Sequence, residues 1–192
     1  TLSGSYNSAE IAKKIYLEEH PDAKIHVIDS LSAGGEVDLI VRKLNHLVAE
    51  GLDFDQVLDA ITAYQAKTKL LFVLAKVDNL VKNGRLSKLV GTVVGLLNIR
   101  MVGEASKTGT LELLQKARGQ KKAIKAAFDE LIKAGYTGGH ITIAHRNNDK
   151  FIEQFSELIR EKFAQASIEV LPTSGLCSFY AEEGGLLMGY EI

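Results

Sequence analysis

The sequence has one cysteine, no tryptophan and two prolines among 192 residues. A single cysteine, Cys177, excludes an intramolecular disulfide framework and fits a reducing compartment. No His or Cys cluster has the spacing of a zinc site. No apolar run approaches the roughly 20 residues that a membrane span needs. The longest, Leu89 to Leu97, is broken by Gly91, Thr92 and Gly95. Neither sign of charge is in excess: 23 basic residues face 24 acidic ones, for a net charge of -1. That leaves no broad basic field to grip nucleic acid, and no helix-turn-helix pattern supports a regulatory DNA-binding module. Signal peptide, internal repeat and low-complexity segment are all unseen.

What is present reads as a soluble α/β chain, with 46% hydrophobic and 24% charged residues. The length suits one large domain or two small ones. Asn7, with Glu10 three residues on, is expected to cap a helix whose inward face is Ile11, Ala12, Ile15 and Tyr16. It should stop at His20-Pro21. Lys24 to Asp29 reads as a buried strand. A second helix follows, with Val37, Ile40, Val41, Leu44, Leu47 and Val48 on one face. Asp53 caps a third, and Leu70 to Ala75 reads as another buried strand. Helix, strand, helix, helix, strand is the order of an open parallel sheet.

The rhythm changes after Lys76. A short helix ends at Asn83-Gly84, and an apolar helix is expected over Ser87 to Leu97. Asn98 to Glu104 and Thr110 to Lys116 form a hairpin around Ser106 to Gly109. Helices are predicted over 119–134 and after Asn147 or Asn148, the latter burying Phe151, Ile152, Phe155, Leu158, Ile159 and Phe163. Strands are predicted over His140 to Ala144 and Ser167 to Leu171. The tail, 175–192, reads as two strands around Glu182 to Gly185, with Cys177 in the first. This half suggests a mixed sheet. The expected division is 1–76 and 77–192, with no flexible linker.

Several stretches carry polar groups suited to a ligand. Leu2-Ser3-Gly4-Ser5 stands at a helix start, where free backbone N–H groups and hydroxyls either cap the helix or hold a carboxylate or phosphate. Ser30 to Glu36, with Ser32 and Gly34, is a second strand–loop–helix junction. It lacks the GK[ST] ending of a P-loop. Arg85 follows a turn and suits a carboxylate. Lys116 to Lys122, with Arg118 and Lys122, is the densest basic run. It sits at a helix start, where cations are unfavourable, which points to an anionic partner. His140 and His145 flank one strand, but no nucleophile–His–acid order accompanies them.

Four of these segments, in order, resemble the DegV family of bacterial fatty-acid-binding proteins. They are LSGSYNSA, KIHVIDSLSAGGEVDLIV, NLVKNGRLSK and LLNIRMVGEASKTGTLELLQKARGQKKAI. The resemblance covers the whole chain and roughly the last two-thirds of a family member. It implies a two-domain α/β fold: a parallel-sheet α/β/α first domain, incomplete here, and a mixed-sheet second domain. It implies a cytoplasmic, non-catalytic carrier without a cofactor. A long-chain fatty acid would lie between the domains and offer its carboxylate to a separate fatty acid kinase. Ser3 matches the family's carboxylate-binding serine, with Gly4 and Ser5 completing the cradle. Arg118, with Lys122 near it, matches a basic residue implicated in engaging the kinase.

Two departures stand out. Where the family has a strand followed by HTGPG, this chain has FYAEEGG: Tyr180 replaces the histidine, and Glu182-Glu183 replace Gly-Pro. A tyrosine hydroxyl donates a hydrogen bond to a carboxylate but supplies no cation at neutral pH. Two glutamates facing an anionic head would repel it. The family's TSQP-type segment has no counterpart, so the first sheet is expected to be incomplete, with apolar surface open unless another chain covers it. The competing enzyme reading is a phosphotransfer protein using an exposed His140 or His145; burial of His145 would count against it.

Overall fold

The computed structural model describes residues 4–86 and 98–192. The expected helix over Ser87 to Leu97, and Leu2 and Ser3, lie outside the described residues. Helices α1 (Ser5–Glu19), α2 (Gly35–Ala49) and α3 (Phe54–Gln65) precede strand β1 (Thr68–Leu74). Then come α4 (Asp78–Lys82), β2 (Ile99–Ala105), β3 (Leu111–Arg118), α5 (Gln120–Lys133) and β4 (His140–His145). The chain continues through α6 (Asp149–Lys162), β5 (Ser167–Pro172), α7 (Gly175–Ala181) and β6 (Leu186–Glu191).

The strands form one six-stranded mixed sheet in the order β3-β2-β1-β6-β4-β5. Only β4 and β5 run parallel; β1 is antiparallel to both β2 and β6. The strand read as part of a parallel sheet is therefore an inner strand of the mixed one. The physical cause of the misreading is burial on both faces. An inner strand covered on both sides carries a continuous apolar run, whichever way its neighbours point. A division at 76/77 would leave β1 on one side and its ladder partners β2 and β6 on the other.

Side chains alternate across the sheet. Leu71, Val73, Val102, Ile141, Ile143 and Met188 form the main core with Ala127 and Leu131 of α5 and Phe151, Phe155 and Ile159 of α6. Helix α6 buries Phe151, Ile152, Phe155 and Ile159 as expected. Leu70, Phe72 and Leu74 of β1 face the opposite side. There α2 packs over β6 and β4 through two glycines. A Cβ at Gly35 would collide with the carbonyl oxygen of Thr142 and come within 2.6 Å of the Gly189 nitrogen. A Cβ at Gly189 would strike the backbone of Glu36. The start of α2 thus rests directly on the sheet backbone.

The same approach buries Glu36, which is 6% exposed. Burial raises its carboxyl above the ordinary range, offset in part by the hydroxyls of Ser32 and Thr68. Only Thr68 reaches hydrogen-bond geometry, its Oγ1 donating to Oε1 at 2.9 Å.

Four local expectations need correction. Helix α1 begins at Ser5 with Gly4 as N-cap, so Asn7 lies inside it. Its supposed inward face is open: Ile11, Ile15 and Tyr16 are half exposed or more. Lys24 to Asp29 carries no ladder among the described residues. A strand needs a neighbour to bond, and here Val27 and Ile28 turn toward a cavity wall instead. The tail is a helix and one strand, placing Cys177 in α7. The spacing of Leu176, Cys177, Tyr180 and Ala181 is helical, and seven residues are too few for the period to declare itself. Asp53 caps α3 as expected, and the cap is a full capping box, with Asp53 accepting from Asp55 and Gln56 and Gln56 reaching back.

The raised Glu36 carboxyl sets a pH dependence. Between its unfolded and folded values the native state holds the extra proton, so stability falls as pH rises through that window. Glu36→Gln keeps the acceptor for Thr68 and abolishes that fall. Chemical denaturation across the acid-to-neutral range checks this: the wild-type minus Glu36→Gln stability difference should decline with rising pH.

Candidate functional site

A cavity of about 530 Å³ lies on the side of the sheet opposite α5 and α6. Its floor is the alternate side chains of four strands: Leu70, Phe72 and Leu74 of β1, Ala105 of β2, Leu111 of β3 and Leu187 of β6. The first turn of α1 (Ser5, Tyr6 and Ala9), residues 27–33 and Val37 form the roof. Leu80, Arg85 and the Leu176, Cys177, Tyr180 and Ala181 face of α7 close the side. The floor is wholly apolar. Hydroxyls and charges come only from the roof and the side.

Local chemistry explains the shape of these walls. Asp29 Oδ1 accepts from the Leu31 N–H at 3.2 Å, an Asx turn that reverses the chain beneath α1. Gln65 of α3 ties the same turn down by donating to the Asp29 carbonyl at 2.6 Å. Leu31 takes a positive φ of 50°, and its side chain reaches the cavity. After α4, Gly84 adopts φ 67°, which lets the Arg85 N–H donate to the Leu80 carbonyl at 2.8 Å. Arg85 then stands over the ring of Tyr180, its guanidinium carbon 5.9 Å from the ring centre.

Two residues singled out separately in the sequence, Arg85 and Tyr180, thus meet on one wall. Ser5 and Ser32 share the cavity with them. Ser32 Oγ is buried, with no partner of hydrogen-bond geometry among the described residues. Gly4 caps α1 beside the cavity, and Gly34 lies behind the roof, where a Cβ would come within 2.8 Å of Leu187 Cβ. Arg118 and Lys122 do not line the cavity; they are exposed where β3 ends and α5 begins. Ser3 lies outside the described residues.

The two glutamates of the tail are tied away from the cavity. Glu182 Oε1 accepts from the Asn79 N–H at 2.9 Å, capping the start of α4. Glu183 sits 3.8 Å from the Arg146 guanidinium and accepts from Asn147 at 3.2 Å. The sequence alone gave no sign of this, because the partners of Glu182 and Glu183 lie on other segments. Their effect is to anchor α7. Asn79 also donates to the Phe179 carbonyl at 2.8 Å, and Arg146 to the Ser178 carbonyl at 2.8 Å.

Neither His140 nor His145 lines the cavity. The His145 side chain is 12% exposed, 3.9 Å from Asp149, and its Nδ1 accepts from the Asn148 N–H at 3.3 Å. Among the described residues no group of three His, Cys, Asp or Glu side chains has metal-binding geometry. No helix among them is long and apolar enough to cross a membrane.

A family model described as uncharacterised protein, DegV family, matches residues 1–190. A DegV domain-containing protein of Streptococcus pneumoniae is 78% identical over all 192 residues, which cover 68% of its length. Among solved structures, the Streptococcus pneumoniae Fatty Acid Kinase (Fak) B3 protein loaded with linoleic acid is 77% identical, with a TM-score of 0.97. The match takes in 100% of this chain and 68% of that one. A DegV family protein from Eubacterium eligens loaded with heptadecanoic acid is 40% identical with a TM-score of 0.95, over 99% of this chain and 69% of that one.

The anchoring of α7 is testable without a ligand. Glu182→Ala should cost about 1 kcal/mol, the usual value of a lost helix cap. It should also speed hydrogen exchange at the Asn79 amide, and Glu182→Gln should lose less on both counts. Thermal unfolding and amide exchange are the measurements.

Proposed function

From the premise that this chain belongs to the DegV family, we propose that it binds a long-chain fatty acid in the cavity described above. The observation that carries this reading is the separation of the walls: an apolar floor below, with hydroxyls, the Arg85 guanidinium, a helix start and the Asp29 carboxylate, itself bonded to the Leu31 N–H, above and to one side. An elongated amphiphile with one anionic end matches that separation. A volume of about 530 Å³ falls in the usual range of small-molecule sites, about 300–1,000 Å³. At about 0.8 kcal/mol per buried methylene, the tail supplies most of the binding and the head sets its orientation. The relatives of known structure carry linoleic and heptadecanoic acids, which supports the same class of ligand here.

The head is held by Arg85 and Tyr180 with Ser5. Arg85 supplies the cation that a tyrosine lacks, and the tail glutamates face other partners. Ser3 and Gly4 keep the carboxylate-cradle role that the family resemblance gives them, and Ser32 and Gly34 shape the roof. The protein works as a cytoplasmic carrier without a cofactor and presents the carboxylate to a separate fatty acid kinase. Arg118 and Lys122, exposed and apart from the cavity, suit that partner rather than the lipid. The kinship with a Fak B3 protein supports such a partner. The phosphotransfer reading loses ground with His145 mostly buried and hydrogen-bonded.

Titration with oleic acid separates these roles. Arg85→Gln should weaken binding by about tenfold or more, since hydrogen bonds to charged groups contribute about 1.5–3 kcal/mol. Ser3→Ala should weaken it less, and Arg118→Ala should leave it unchanged while lowering phosphorylation of the bound acid by the kinase. Unchanged affinity in Arg85→Gln would remove Arg85 from the head site, and lipid loss in Arg118→Ala would overturn the division of roles.

A further inference from the structure

The cavity floor contains one irregular place. Strand β2 pairs with β1 so that Gly103 lies opposite Phe72, and its ladder to β3 shifts between Val102 and Gly103. A Cβ at Gly103 would collide with the backbone carbonyl of Glu112 on β3. Backbone cannot swing aside, so the irregular ladder itself closes this position to any side chain. The result is a notch in the row of floor side chains. The ring of Phe72 fills it: the same Cβ would strike Phe72 Cζ and stand 2.8 Å from Cε2. Phe72 is 3% exposed, packs with Leu74, Leu80 and Met101, and is the one aromatic side chain that the strands contribute to the floor among the described residues.

We propose that Phe72, seated in the notch left by Gly103, is a specificity-determining residue that limits how much acyl chain the cavity takes. This rests on the fatty-acid reading above. A ring lying across the strand closes the floor toward β2 and β3. A smaller apolar side chain leaves the notch open, and an apolar void of that kind stays dry and accepts hydrocarbon. The terminal methylenes of a longer chain then have somewhere to go. The notch cannot be closed from the other side, because Gly103 admits no side chain. Chain-length selection at this end of the cavity therefore falls to Phe72.

The test is a set of dissociation constants for palmitic, stearic and arachidic acids with the wild type, Phe72→Leu and Phe72→Ala. Thermal unfolding of each variant confirms that it is folded. The preference for arachidic over palmitic acid should rise by roughly tenfold in Phe72→Leu, the discrimination an apolar pocket gives per methylene admitted or refused. Equal weakening of all three acids, or no change, overturns the proposal. A wild type that binds none of the acids overturns the fatty-acid reading instead. The notch is then decided without lipid, by titrating benzene into ligand-free Phe72→Ala and wild type. Benzene bound by the variant and not by the wild type supports it, and no binding by the variant overturns it.

Discussion

The cavity depends on the contact between Gly35 at the start of α2 and Gly189 in β6. Two absent side chains let a helix backbone lie on a sheet backbone, closer than any other residue pair permits. That contact fixes the height of α2 above β6 and β4. It therefore fixes residues 29–33, which lead toward α2 and roof the cavity. It also buries Glu36, whose carboxyl has Thr68 for a partner and no cation among the described residues. A buried acid without a counter-charge is a cost to the fold. The structure bears it where the helix must come down onto the strands.

With that height set, the remaining walls need only be tied together. Glu182 caps α4, Asn79 holds the Phe179 carbonyl and Arg146 holds the Ser178 carbonyl, so α4, α7 and the turn after β4 form one hydrogen-bonded unit. This unit carries Arg85 and Tyr180 on its inner side. The glutamates that replace a Gly-Pro pair in the family pattern thus work as fasteners. The charge that reaches the cavity from this side is a guanidinium. A pocket that is apolar below and cationic at one side suits the amphiphilic acid proposed above.

Much of this was legible in the chain because it is local. The hairpin of β2 and β3, the inward phenylalanines of α6, the cap at Asp53 and the turn at Gly84 are each written within a few residues. The polar loops at Ser5 and Ser32 were also visible, as was Arg85. What could not be read is what depends on distant partners. The apolar run of β1 signals burial on two faces, and it is silent on neighbour direction. Residues 24–29 look like a strand, but no ladder forms among the described residues, and Val27, Ile28 and Asp29 line a cavity wall instead. Glu182 and Asn79 are 103 residues apart, and no short-range signal joins them. The helix at α7 is too brief for its period to outweigh the β-like composition of its aromatics.

The most direct test of the account is mass spectrometry of an organic extract from the purified protein, with fatty acid quantified against protein. A long-chain fatty acid at close to one molecule per chain is the predicted result. An extract free of fatty acid, followed by no binding when oleic acid is added back, would contradict the central claim.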